Sequence, residues 1–394
     1  MNRRKFIHYG GLGSASFLVN LAIPNQKPSN AFLSKSINRT QVYDWIFLYW
    51  MPYDNNLSDF GKPILQMLTK GVKTANILVV VQSDFSGAKR LSRNIITEGN
   101  IDVQELKTAD SSSERVFAEY LDWAKSRFQA KKWAIVFLGH GGCLDQISPD
   151  EHPDVGLRTE TKWMNIKKLS DITSNFNREV DKRVELMFFQ NCNKGTLEVH
   201  YAFRDTAKYT LSSQLLLGAP NYYYKPLFEF LGSQPEVHGG QLAEKIMEFE
   251  PNNMYHSYTA TNNLALTELP EKINPLINSI ISSNPKKVKS SELEIYHYMD
   301  EPFVDVVSFF KEITNHRDTT QQKKYSDFID FFNQSIIFSL KQNGTLLEPI
   351  RRRKKLSGLG LFLPTSKNKL DKYVYLQVFS DLRLVELFDA ILFN

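Results

Sequence analysis

The sequence predicts an α/β fold: a mostly parallel sheet covered by helices on both faces, followed by a more helical C-terminal region. Three observations carry this. From residue 45 onward, apolar runs of strand length alternate with amphipathic runs of helix length, as in a parallel sheet with helical layers above and below. Some of those runs are β-branched and continuous, as in strands buried on both faces. The chain has 394 residues, 42% apolar and 23% charged, enough for a substantial core and close to the globular average. The 27 Phe and 17 Tyr suit buried sheets and do not suit disorder.

Taken in order, the N-terminus comes first. "MNRRKFIHYGGLGSASFLVNLAIP" has a basic start, a mildly apolar run and then a proline, the layout of an export signal. The run is too short and too weakly apolar for a membrane span. Arg3-Arg4, followed by Lys5, Phe6 and Ile7, resembles the twin-arginine export motif; an ordinary signal with two arginines is the alternative. "SNA" at 29–31 offers small residues to a signal peptidase, so residues 1–31 are read as the signal. The protein is then expected to be exported, periplasmic or extracellular, touching a membrane only through an uncleaved signal.

Residues 40–234 are expected to form the main α/β unit. "WIFLYWM" (45–51) reads as its first strand, and Leu57, Phe60, Ile64, Leu65 and Leu68 then recur at helical spacing. "NILVVVQ" (76–82) is a second strand. Serines 111–113 precede the amphipathic run "ERVFAEYLDWAKSRF" and are placed to cap it. "WAIVFLG" (133–139), a helix at 165–176, "VELMFFQ" (184–190) and a helix candidate at 194–208 follow. Residues 235–394 are expected to be an accessory region packed on the same sheet, with late strands at 255–261 and 358–364. The basic run Arg351 to Lys355 reads as a solvated loop, with a protease-sensitive or anion-binding loop as the alternative.

Charge narrows the partners. Removing residues 1–31 deletes Arg3, Arg4, Lys5 and Lys27 and no acid, so the formal charge falls from +5 to +1. A nucleic-acid partner thereby loses its electrostatic support. Two cysteines cannot staple a chain of this size. There is no GxxxxGK[ST], HExxH or GxSxG motif, and no cofactor is implied.

In open sheets of this kind, ligands meet the carboxyl ends of the strands. His140 and Cys192 fall just past such ends, as do Asp54 and Asp84. A cysteine nucleophile needs a base nearby, and two adjacent parallel strands would bring His140 to Cys192 across one sheet spacing. Gly141 and Gly142 keep the histidine turn bare, so a backbone N–H of Gly141 and that of Cys192 are the expected oxyanion donors. A metal site of His140, Cys143, Asp145 and Cys192 is an alternative, although its spacing matches no regular zinc pattern.

At these residues the chain resembles the clostripain family of cysteine peptidases, which share the caspase-like fold. "WIFLYWMPYDNNL", "NILVVVQSD" and "IVFLGHGG" are similar to its strand and histidine blocks, and "GLGLFLP" is similar to a late strand. The most specific block begins "FFQNCNKGTLEV" and keeps Glu198-Val199, Tyr201, Ala207, Tyr209, Ser213 and Pro220 at family spacings. The resemblance implies a caspase-like α/β/α sandwich, Cys192 as nucleophile, His140 as general base, and a peptide or protein substrate. It also implies possible self-cleavage between the two blocks, where Arg158, Lys162, Lys167 and Lys168 lie. Some relatives depend on calcium, but no calcium loop is legible.

Two departures qualify the substrate. Family members that cut after Arg or Lys carry an acid two residues before the cysteine, and this chain has Gln190. An amide offers no charge to a buried cation, so the preference is open unless Asp54, Asp84 or Asp145 restores an acidic pocket. Asp54, Gln190, Ser213 and Tyr222 are the expected substrate-facing residues. For Tyr222, Tyr223 and Tyr224, core packing is the default and a peptide wall the alternative. Cys143 is the second departure, because a disulfide to Cys192 would silence the nucleophile. A non-catalytic peptide-binding or scaffold protein of the same fold is the rival class.

Overall fold

The computed structural model describes residues 41–152, 161–343 and 356–393. The expected export signal at 1–31, Arg158 and the basic run at 351–355 lie outside the described residues.

In chain order the strands are β1 (Val42–Tyr53), β2 (Ile77–Phe85), β3 (Ser92–Thr97), β4 (Asn100–Glu105), β5 (Gln129–Leu138), β6 (Gln146–Asp150) and β7 (Lys162–Asn165). They continue with β8 (Val184–Gln190), β9 (Tyr209–Ser213), β10 (His256–Asn262), β11 (Tyr296–Tyr298), β12 (Glu301–Asp305), β13 (Ile337–Asn343) and β14 (Gly360–Phe362). Among the described residues, nine of them form one sheet in the order β13-β10-β9-β8-β5-β1-β2-β3-β4. The five central strands, β9 to β2, are parallel. Antiparallel pairs extend the sheet at both edges.

The sheet separates two cores because successive side chains of a strand point to opposite faces. On β1, Trp45, Phe47, Tyr49, Met51 and Tyr53 pack towards the helices Ser58–Gly71, Tyr224–Ser233 and Gly239–Phe249. Ile46, Leu48 and Trp50 pack towards the helices Glu114–Arg127 and Ile166–Glu179. The result is the α/β/α sandwich. A third core lies beside it, built by the helices Asn263–Ser282, Val306–Ile313, Thr319–Phe331 and Leu384–Ile391 with β11, β12 and β14. Leu144, Leu197, Tyr201 and Leu215 from the first half of the chain belong to that core too.

Local chemistry explains the boundaries. The Ser113 hydroxyl accepts from the Val116 N–H and starts its helix, and Asn165 does the same for Lys167 and Lys168, relieving unpaired first-turn donors. The helix expected over 194–208 is much shorter, Leu197–Ala202. Thr196 caps it at Val199, and the Asn263 amide takes the carbonyls of Phe203 and Ala207, which ends it. Asp84 lies inside β2 and not beyond its end. Both late strands expected at 255–261 and 358–364 are present, as β10 and β14; β10 joins the main sheet, while β14 pairs with β12 in a small separate sheet.

Candidate active site

Register places the site. Across β5 and β8, Phe137 faces Phe189 and Leu138 faces Gln190. His140 and Cys192 therefore each lie two residues past the same rung, on strands about 4.8 Å apart. Gly139, at φ +105°, turns the chain out of β5, a conformation that favours glycine. The Asn191 amide donates to the carbonyls of Gly139 at 2.8 Å and His140 at 3.3 Å, tying the end of β8 to the histidine backbone. The two turns then touch. A Cβ on Gly141 would collide with the Cys192 carbonyl oxygen and lie 2.9 Å from Cε of Lys194.

The cysteine turn is tight. Asn193 is buried at φ 54° and donates its N–H to Leu215 O at 3.0 Å; asparagine tolerates this left-handed conformation. The Cys192 sulfur accepts from the Leu217 N–H at 3.4 Å. Burial pushes the thiol up, opposed by that amide, by Tyr298 and by Lys194. The resting group is therefore a protonated thiol at neutral pH.

The His140 Nε2 lies 2.7 Å from Oδ1 of Asn56. An amide oxygen only accepts, so this orientation places the hydrogen on Nε2 and leaves Nδ1 basic. Desolvation pulls the imidazole down to about 4, so it is neutral through the physiological range. Among the described residues, neither the Gly141 N–H nor the Cys192 N–H is engaged by a carbonyl. The Gly142 N–H, by contrast, is committed to Gln146 O at 2.9 Å.

Residues far away in sequence hold the histidine turn. The Tyr298 hydroxyl donates to Gly141 O at 2.6 Å, and the Leu144 N–H donates to Glu301 at 2.8 Å. Tyr373 donates to Glu301, and Tyr375 to Asp145. The Lys194 ammonium donates to the carbonyls of Gly142, Cys143 and Leu144. None of Asn56, Asn191, Lys194, Tyr298 and Glu301 was singled out from the sequence. Only Asn191 and Lys194 carried a usable signal, their place beside Cys192.

The substrate-facing candidates are scattered. Gln190 is buried, and its amide is fully used: it donates to Asn221 at 2.6 Å and Tyr224 at 2.8 Å, and accepts from the Tyr223 and Tyr224 hydroxyls. Asn221 in turn donates to Glu250 at 2.6 Å, whose carboxyl burial pushes up to about 7. Ser213 is fully buried beside Ser257. Of the three tyrosines, 223 and 224 are core and Tyr222 is 47% exposed.

Asp54 is buried, accepts from or shares a proton with His152 Nδ1 at 2.8 Å, and joins Asp84 and Asp150. The carboxylate oxygens of these three acids lie within 4.8 Å of one another. Burial and mutual repulsion raise Asp84 to about 8 and burial raises Asp150 to about 6, so Asp84 retains its proton at neutral pH. Among the described residues it is the one His/Cys/Asp/Glu group gathered this closely. The alternative metal set of His140, Cys143, Asp145 and Cys192 is thereby corrected: those residues are not brought together, because Asp145 is held by Asn165 and Tyr375. Both cysteines are free thiols.

Comparison with known proteins agrees with this architecture. The model of a family described as the clostripain family matches residues 49–386. Clostripain of Hathewaya histolytica is 20% identical over 431 residues, spanning 89% of this chain and 80% of that protein. Among solved structures, an inactive zymogen C11 protease from Parabacteroides distasonis superposes with a TM-score of 0.67 at 17% identity, covering 87% of this chain and 99% of that one. A secreted C11 cysteine protease from Bacteroides thetaiotaomicron, bound to an irreversible peptide inhibitor, gives 0.66 at 16% identity, covering 86% and 99%.

Proposed function

The chain belongs to the clostripain family of cysteine peptidases, and on that premise we propose that it is an exported endopeptidase with Cys192 as nucleophile and His140 as general base. The observation that carries the reading is the shared rung of β5 and β8, which ends both strands level and lays Gly141 against the Cys192 carbonyl. In the reaction, Nδ1 of His140 takes the thiol proton as Sγ attacks the scissile carbonyl carbon. The Gly141 and Cys192 amides receive the oxyanion. The C–N bond then breaks as the imidazolium returns its proton to the leaving amine. Water, deprotonated by His140, hydrolyses the thioester and restores the thiol.

Gln190 argues against cleavage after Arg or Lys. Its amide has no bond left to offer, and Asp54 and Asp145 are committed to His152 and to Asn165 and Tyr375. We read the first pocket as one for an uncharged side chain. Profiling against a mixed peptide library tests this, and dominant cleavage after Arg or Lys would refute it. In the same assay Cys192→Ala and His140→Ala are each expected to abolish turnover.

The rival reading, a peptide-binding protein without turnover, draws on the raised Cys192 thiol and its bond to the Leu217 backbone. It predicts no cleavage of any library peptide and a Cys192 no more reactive to alkylation than Cys143. Export rests on residues 1–31. Fractionation and N-terminal sequencing of the mature chain test it, with a cytoplasmic product starting at Met1 as the contrary result. Of the basic residues proposed for self-processing, Lys167 and Lys168 lie in the first turn of a helix and Lys162 in β7. By side-chain exposure Lys168, at 68%, stands out over Lys162 at 37% and Lys167 at 32%, which makes it the most accessible of the three.

A further inference from the structure

The reaction above leaves one buried cation without a task. Lys194 has no exposed surface. Its ammonium donates to three successive carbonyls, those of Gly142 at 3.4 Å, Cys143 at 2.7 Å and Leu144 at 3.4 Å. Among the described residues no carboxylate forms an ion pair with it. The charged and titratable groups facing it are Asp145, Glu301 and the thiols of Cys143 and Cys192, with Lys372 a further cation near Cys143. Burying an ammonium without a contacting counter-ion is costly, and an apolar residue of similar length would fill the space with less penalty. Desolvation accordingly pulls Lys194 down to about 8. A residue that costs stability beside a reacting sulfur invites a functional explanation.

Resting on the assignment of Cys192 as nucleophile, we propose that Lys194 is a positioning residue that staples the histidine turn to the cysteine turn and biases the Cys192 thiol towards its thiolate. Both effects follow from where its two ends lie. The backbone of Lys194 is two residues from the sulfur, and its ammonium sits on the three carbonyls that follow Gly141. The two turns cannot separate without stripping the ammonium of its acceptors. The positive charge acts on Cys192 through a dry interior, where opposite charges interact more strongly than in water.

The test compares wild type with Lys194→Met and Lys194→Arg. Iodoacetamide alkylation of Cys192 is followed against pH, resolved from Cys143 by peptide mass spectrometry, alongside kcat and KM on a peptide found by profiling. For Lys194→Met the alkylation midpoint is expected to rise by about one pH unit. The kcat is expected to fall about tenfold or more, with KM changed less than about twofold. Lys194→Arg keeps the charge and is expected to restore part of both. A Lys194→Met protein that unfolds cooperatively, with its midpoint within about 0.2 unit of wild type and an unchanged kcat, would overturn the proposal. Should that variant fail to fold, Lys194→Gln, which retains a donor without charge, takes its place in the same two measurements. Peptide cleavage surviving in Cys192→Ala would instead sink the nucleophile assignment, while the alkylation midpoints still report whether Lys194 acts on the sulfur.

Discussion

Gly141 decides whether the two turns can meet. An added methyl would collide with the Cys192 carbonyl oxygen and crowd Lys194, so the histidine turn would have to retreat. Gly141→Ala is expected to reduce kcat/KM about a hundredfold, the effect of misplacing reacting groups by about an ångström. It should also cost about 1–3 kcal/mol of stability. Full activity in that variant would remove the contact from the mechanism. The neutral state of His140 has its own signature. With the imidazole pulled down to about 4, it gains a proton only in strong acid. The acid limb of kcat/KM should then fall near pH 4 and not near the ordinary histidine range; a limb between pH 6 and 7 would contradict this. Asn56, whose side-chain oxygen holds Nε2 at 2.7 Å, fixes the tautomer that leaves Nδ1 basic, and Asn56→Ala is expected to lower kcat about tenfold.

At the scale of elements, the ends of the strands gather acids as well as catalytic candidates. β1, β2 and β6 deliver Asp54, Asp84 and Asp150 to one buried cluster. Asp84 is raised from 3.8 to about 8, so the folded protein keeps a proton that the unfolded chain releases. Stability linked to that proton is full below about pH 4 and declines as pH rises towards 8. Asp84→Asn should therefore melt at least about 2 °C above wild type at pH 8 and converge with it at pH 4. A constant difference across that range would refute the linkage. The strands that build these ends differ in how legible they were. β8 coincides with the mainly apolar run 184–190, because a strand buried on both faces is apolar at most of its positions, here broken only by Glu185 and Gln190. The β3–β4 hairpin escaped notice. β4 is largely exposed with few apolar residues, and its turn is Glu98-Gly99, both at positive φ, without the Asn-Gly or Asp-Gly pair that marks such turns. Lys194 reads as a surface residue in any local window, and the Tyr298 and Glu301 bonds to the histidine turn span 157 residues. Long-range side-chain pairing leaves no periodic trace.

Taken whole, the chain divides into cores that do not follow its length. Leu144, Leu197, Tyr201 and Leu215 are buried in the C-terminal core, while β10 and β13 extend the main sheet. The segment after residue 234 is read as an accessory region and not as a separable domain. Thermal unfolding is expected to show one cooperative transition, and a chain ending at residue 234 is expected not to fold. Two resolved transitions, or a folded truncated protein, would establish two independent units.

The grip of Tyr298, Glu301, Tyr373 and Tyr375 on the turn after His140 also sets an order of events. During synthesis His140 and Cys192 leave the ribosome while those four residues are still untranslated. On the proposed assignment, a nascent chain thus carries its nucleophile and its base, from residue 192 until Tyr298 to Tyr375 are made, without the framework that holds the histidine turn. On that assignment hydrolytic competence is expected only once these four residues are in place, so a ribosome that stalls midway is expected to release an inert fragment rather than a loose protease.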